Sequence, residues 1–323
     1  MMRKLVLAAI VCVALTTAGY AQFNVSFSII LDVSGTTGGS AYCTAYNPGD
    51  DTFISFEGGD IHVISAVDGL PTGATYDMTG HDTSGLGFFG IGADTLGNVY
   101  GVNANSGGMV RWANTTVAGA TIATGCQFTR NMCIQGTGLN TLVGIAGAAN
   151  TGDIVIYGTT DDISYSIIDS VTGIAKSGAA FDVGLTQAWG TPDIWNSVNK
   201  KVKVGGVWVS DNVIDGGVWD KPLTSTNIGA MWYDDVNNLL IGSDAMIDTL
   251  FAYDGTTAKQ YGSQAYSPDA YGTIGYNGGW CGDLAVGSGR FYWGQRGWGG
   301  GSTGYHVGIA DYGVTSVNDW TLY

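Results

Sequence analysis

Trp298 stands in Arg296-Gly297-Trp298-Gly299-Gly300-Gly301, far from any apolar neighbour, so a place in a packed core is hard to arrange for it. An indole face held out by a glycine-rich loop suits stacking against a sugar ring, with nearby carboxylates or amides bonding the hydroxyls. Trp280 and Tyr305 belong to the same aromatic stretch and complete a candidate ligand-binding set, whereas Trp293 lies inside an apolar strand and reads as core. Aspartates gather at turns, in Asp50-Asp51, Asp161-Asp162, Asp234-Asp235 and at Asp211 with Asp215. Calcium takes hard oxygen ligands in sets of about six to eight. No cluster reproduces a complete calcium loop with its closing glutamate, and aspartates that cap turns by bonding their own backbone explain the same residues. No cofactor is expected, calcium being the one metal that these residue types would suit.

The rest of the chemistry is sparse. His62, His81 and His306 are too few and too scattered for a metal signature, and the H-E-x-x-H, paired C-x-x-C, Walker and G-x-S-x-G patterns are absent. The run from Gly85 to Gly90 spells G-x-G-x-x-G but has no helix pattern behind it. Glu57 is the sole glutamate; with an aspartate it could form the carboxylate pair of a glycan-cleaving enzyme, though no spacing singles out the second member. Three readings stand side by side. The first is a non-catalytic protein binding a ligand or partner, such as a glycan. The second is a hydrolase or lyase acting on extracellular polysaccharide, and the third a structural component of the cell envelope or matrix.

These residues are carried by a repeat. A polar turn runs into a short apolar strand at Asn47–Ser55, Asp94–Gly101, Thr137–Gly144, Asn196–Gly205, Asp234–Gly242 and Gly287–Gly294, five of the six ending on glycine. The copies recur every 37 to 61 residues, the range of an array of β-sheet units each too small to fold alone. A further strand follows most copies, at 60–65, 109–112, 153–157, 249–255 and 305–310, and some units add another, at 74–76 and 120–123. Glycine, aspartate and asparagine bound most of these strands, as turn formers do. The fourth unit is irregular, with room for an insertion over 186–196 and with strands expected at 207–209 and 217–219. Near the start of the chain, Phe23, Val25, Phe27, Ile29, Leu31 and Val33 alternate with polar residues, the period of a half-buried strand. Its natural partner is the strand-forming end, Trp320-Thr321-Leu322-Tyr323, since pairing the two would remove the open edges of the array.

Composition agrees. Apart from Glu57 every acid is aspartate, and there are 53 glycines, which together favour strands and tight turns over helix. Arg3 and Lys4, the apolar run Leu5–Leu15 and the small residues Ala18, Gly19 and Ala21 form a secretory signal over residues 1–21, too short to span a bilayer. The mature chain, from residue 22 to residue 323, is then expected to be a single repeat domain, secreted, periplasmic or on the cell surface, with no membrane insertion. Its charge, 27 acidic residues against ten basic ones once Arg3 and Lys4 are removed, opposes nucleic acid and anionic lipid as partners. A glycan or another extracellular protein is the expected partner. Export permits disulfides, and the four mature cysteines give two candidate bridges, Cys43 with Cys281 across a closed ring and Cys126 with Cys133 across a short link.

Over residues 40–314 the recurring D/N-x-x-x-N/G turn and apolar strand resemble those of secreted bacterial β-propeller repeat proteins in general. Neither the Gly-His…Trp-Asp signature of WD40 repeats nor a kelch double glycine at consistent positions is present. The resemblance implies an all-β propeller of six blades, with seven as the alternative, closed by pairing the N- and C-terminal strands. It carries an architecture and no functional residues.

Overall fold

A computed structural model describes residues 43–57, 59–84, 87–126, 129–147 and 154–171, together with the strands given below that lie outside those ranges. The expected leader falls outside the described residues. Strands β1 (Phe23–Val25) and β2 (Ile29–Asp32) precede a four-stranded sheet of β3 (Cys43–Asn47), β4 (Thr52–Glu57), β5 (Asp60–Ser65) and β6 (Pro71–Thr75). The second sheet comprises β7 (Phe88–Ala93), β8 (Val99–Asn103), β9 (Met109–Trp112) and β10 (Ala120–Ala123); the third comprises β11 (Thr129–Gln135), β12 (Leu142–Gly147), β13 (Ile154–Thr159) and β14 (Tyr165–Val171). Three strands, β15 (Val202–Val204), β16 (Val207–Val209) and β17 (Lys221–Pro222), form the fourth. The fifth is β18 (Ile228–Asp234), β19 (Leu239–Asp244), β20 (Thr249–Asp254) and β21 (Gln260–Ala265). The last contains β22 (Asp283–Gly287), β23 (Arg290–Gln295), β24 (His306–Ser316) and β25 (Asp319–Leu322). Within each sheet successive strands pair antiparallel, and the one helical turn among the described residues is the 3-10 segment Gly138–Asn140.

Every copy of the repeat coincides with one strand: β4, β8, β12, β15, β19 and β23. In five sheets that is the second strand; in the fourth it is the first one described. The expected insertion over 186–196 and the strand over 217–219 lie outside the described residues. First strands of neighbouring sheets touch, β3 against β7, β7 against β11, β18 against β22, and β22 against β3, so the last sheet meets the first. This is a β-propeller, all-β as expected.

Both ends of the chain enter the last sheet, with one difference from expectation. The alternating N-terminal segment is two strands and not one. β1 runs parallel to β25, with Phe23 opposite Trp320, while β2 runs antiparallel to β24, with Ile29 opposite Ile309 and Asp32 opposite His306. β24 accounts for the split: its first half ladders with β2 and β23, and its second half with β25.

The core lies between sheets. One cluster joins the first and second sheets through Ile54, Phe56, Ile61, Tyr76, Phe88, Val99 and Trp112; another joins the second and third through Tyr100, Val102, Met109, Met132, Val143, Ile145 and Tyr157. β8 belongs to both. Successive side chains of a strand point to opposite faces, so Val99 enters the first cluster while Tyr100 and Val102 enter the second, and all five residues of β8 are buried. The terminal glycine of this copy, Gly101, follows from the two-sided burial. A Cβ on Gly101 would lie 2.8 Å from Phe88 Cδ1 and 3.3 Å from Trp112 Cζ3. Phe88 and Trp112 in turn meet edge to face with centroids 5.3 Å apart. The glycine therefore leaves the space in which the aromatic pair sits. Overpacking at this point is expected to make Gly101→Ala cost about 1–3 kcal/mol, and Trp112→Ala about 3–5 kcal/mol. Denaturant unfolding measures both, and an unchanged Gly101→Ala midpoint would contradict the shared core.

Candidate functional site

In an antiparallel sheet the turn after the first strand and the turn after the third lie at the same end, so these turns of the first three sheets share one rim. In the described sheets they are the segments 48–51, 66–70, 94–98, 113–119, 136–141 and 160–164. Polar side chains bonding local backbone build them. Buried Asp94 accepts from Leu96 N (2.9 Å), Asn98 N (3.0 Å), Asn98 Nδ2 (2.9 Å) and the Tyr100 hydroxyl (3.0 Å). In the preceding sheet, buried Asn47 accepts from Gly49 N and donates through Nδ2 to Asp50 Oδ2 (3.2 Å) and to Gly97 O (3.4 Å), a carbonyl of the neighbouring turn. The two turns nearly interpenetrate: a Cβ on Gly49 would collide with the backbone of Gly97. Between the second and third sheets, Arg111 Nη1 bonds Asp162 Oδ1 at 2.6 Å, and the rings of Tyr100 and Tyr165 pack edge on at 6.3 Å.

These turns hold apolar side chains out into solvent. The large hydrophobics exposed among the described residues are Val67, Leu70, Leu96, Val117, Leu139 and Ile163, all on rim turns, plus Ile167 and Ile168 of the adjoining β14. Leu96 is 69% exposed and Ile163 72%. In four of the six rim cases the residue's own N–H is tied to a side-chain oxygen two positions earlier. Val67 N bonds Ser65 Oγ, Leu70 N bonds Asp68 Oδ1, Leu96 N bonds Asp94 Oδ1 and Ile163 N bonds Asp161 Oδ1. Such a turn fixes the backbone while leaving the side chain two places on without a role in the fold. The arrangement offers a rigid, partly apolar surface, which is what a binding face needs in order to lose little entropy on association.

The residues singled out from sequence fall as follows. Trp280, Trp298, Tyr305 and Cys281 lie outside the described residues, as do Asp211, Asp215 and Asp235; Asp234 ends β18. Glu57 ends β4 and is opposite Asp60 across the turn to β5. The described aspartate pairs hold turns: Asp51 accepts from the Tyr46 hydroxyl (2.7 Å), and Asp161 accepts from Ile163 N, Ser164 N and the Ser164 hydroxyl. Among the described residues no three His, Cys, Asp or Glu side chains gather at metal-binding distance. His81 Nε2 lies 2.9 Å from Gly119 O, so that nitrogen carries the proton, and its ring packs edge on against Trp112 at 5.8 Å. His62 is opposite Ser55 in β4, and His306 opposite Asp32.

The cysteine expectation needs correcting. Cys43, Cys126 and Cys133 are buried thiols, none of them in a disulfide. Cys126 packs in the cluster between the second and third sheets, on the side taken by Met132 and Ile134. Cys133, between those two in β11, points by alternation to the opposite face, so no Cys126–Cys133 bridge forms. Cys43 lies in the cluster between the first and second sheets with its Sγ 3.5 Å from Phe88 O, and its suggested partner Cys281 is outside the described residues. The exposed apolar turn residues were not anticipated from sequence. Their signal is a Ser or Asp two places before an aliphatic residue within a turn, as in Asp94-Thr95-Leu96 and Asp161-Asp162-Ile163.

Hydrogen bonds from the backbone of Ser164, then of Ile163, hold the Asp161 carboxyl well below the usual carboxylate range. A depressed carboxyl contributes stability that is present above about pH 4 and is withdrawn as pH falls through its folded value. Asp161→Asn is therefore expected to flatten the acid limb of a stability-against-pH curve. Burial, and after it the charge of Asp50, pushes the Tyr76 hydroxyl up to about 12, and burial also raises Tyr100 and Tyr157. Stability from a raised phenol is complete below about pH 10 and lost as pH climbs through the folded value. Ultraviolet titration should show these tyrosines ionising only together with alkaline unfolding, and Tyr76→Phe should move that unfolding to higher pH. Asp94→Ala, which leaves the Tyr100 hydroxyl buried without its acceptor, is expected to cost more than about 2 kcal/mol in denaturant unfolding.

No family model matches the chain, and no curated protein resembles it in sequence. Solved structures do resemble it in shape. The WD40 repeats of RRP9 superpose with a TM-score of 0.54 at 13% identity, over 94% of this chain and 84% of that one. U3-55K gives 0.55 at 12% identity over 91% and 83%, and a chain of a mitotic checkpoint complex gives 0.51 at 12% over 94% and 82%. The likeness is one of fold: this chain has the architecture of WD40 β-propellers without their sequence signature.

Proposed function

We propose that this protein is a non-catalytic β-propeller scaffold that binds a partner protein through the rim formed by the turns after its first and third strands. The observation that carries the reading is the set of six exposed aliphatic side chains on those turns, four of them on backbone tied down by Ser or Asp. Exposed aliphatic side chains collected on one rim with polar turn residues between them are the kind of surface that a partner covers. The carboxylates best placed for chemistry in the described sheets, Asp94 and Asp161, have their oxygens engaged in turn geometry, which supports binding over catalysis. On the leader-like residues 1–21 the scaffold is exported, and its partner is then extracellular or periplasmic.

A photoreactive amino acid placed at Leu96 or at Ile163 in the expressing cell, compared with one at Asn105 on the opposite rim, tests the reading. The same protein adduct from both rim positions and none from Asn105 supports it; equal labelling at all three positions, or none, overturns it. A glycan-binding reading rests on Trp298 among its glycines, with Trp280 and Tyr305. A glycan array probed with the mature protein and with Trp298→Ala separates the two: retention of a sugar that is lost in the variant would favour the glycan.

A further inference from the structure

The rim is apolar, but it is not neutral. Its six described turns contain no Lys, Arg or His, while Asp50, Asp51, Asp68 and Asp161 are exposed on them and Asp162 is half-buried. Arg111, at the end of β9 beside these turns, is bonded to Asp162. Aliphatic side chains and carboxylates adjoin in Val67-Asp68-Gly69-Leu70 and Asp161-Asp162-Ile163, and Asp50 comes beside Gly97 in the turn of Leu96, so a partner covering these apolar groups comes beside charge, whereas the turns of Val117 and Leu139 contain no acid.

We infer that the rim docks a cationic amphipathic segment of a partner protein, its aliphatic side chains against Leu70, Leu96 and Ile163 and its Lys or Arg side chains against the neighbouring Asp68, Asp50 and Asp161. The inference rests on the scaffold reading above and narrows it to one partner chemistry. Charge complementarity selects this occupant. An acidic partner would bring like charges together over described turns that hold no Lys, Arg or His, and a second copy of the same turns would do likewise. Sugars stack on aromatic faces, whereas the large hydrophobic side chains exposed among the described residues are aliphatic. The tied turns present their side chains in one arrangement, so the selectivity lies in the spacing of apolar and acidic groups, with little rearrangement needed on binding.

Fluorescence anisotropy with the full mature chain tests this, using as probe a synthetic peptide of alternating lysine and leucine. Matched peptides of alternating glutamate and leucine, and of lysine and serine, are the controls. The expected result is binding of the lysine–leucine peptide alone, weakened about tenfold or more by the double change Leu96→Ser and Ile163→Ser. Asp51→Asn with Asp68→Asn should weaken it further and flatten its salt dependence, and Asp60→Asn on the opposite rim should leave it unchanged. The altered side chains are exposed, and an unchanged unfolding midpoint checks that each variant is folded. If the glutamate–leucine peptide binds equally well and the serine variant abolishes both, the rim remains a docking face but the charge assignment is overturned. If the lysine–leucine peptide does not bind, or if serine substitution changes no affinity, the rim is not the docking face and both readings fall.

Discussion

Everything in this ring depends on sheets that must bury both of their faces. A four-stranded sheet of short strands has too little apolar surface to fold alone, and the second strand β8 shows how this is resolved, by serving two neighbours. In β8, Val99 is packed towards the preceding sheet and Tyr100 and Val102 towards the following one, so one five-residue strand carries parts of two cores. The demand propagates: each sheet needs a neighbour on either side, and the contact of β22 with β3 together with the joining of β1 and β2 to the last sheet is how the first and last units meet it.

That constraint explains what could be read from the chain unaided. Two-sided burial produces short apolar runs at a fixed place in each unit, and close packing of aromatics produces the small residue that ends them; Ser55 and Gly101 are both fully enclosed. The repeat, the dominance of strands among the described residues and the pairing of the two termini were therefore legible, down to the boundaries of β5, β9 and β10. The split of the N-terminal segment was not, because alternation reports which face a residue takes and says nothing of which strand lies alongside. The separation of Cys126 from Cys133 was missed for a related reason. Seven residues apart in sequence, they are divided by the alternation of β11 itself, and distance along the chain is a poor guide to which side of a sheet a thiol occupies.

The candidate site was less legible than the fold. In the sequence the residue types that can do chemistry are the aromatics and the acidic clusters, with turn-capping as the other account of the aspartates. The described aspartates are indeed scaffold. What they support was overlooked, because an isolated Leu or Ile in a turn looks like an ordinary exception to the rule that loops are polar. Only when Leu96, Leu139 and Ile163 are placed on the same rim do they become a surface. The fold collects them; no local pattern announces it.

The tied turns also divide labour between neighbouring positions. At Asp94 or Asp161 the side chain is committed to backbone geometry, and replacing it would disturb the turn. Two places later, at Leu96 or Ile163, the side chain is free of that duty. Anchor and display residues can therefore change on separate schedules. A lineage, or a protein engineer, could rewrite the display residue at turn after turn and so exchange one partner for another, while the anchors keep every turn in place and the ring beneath them unaltered.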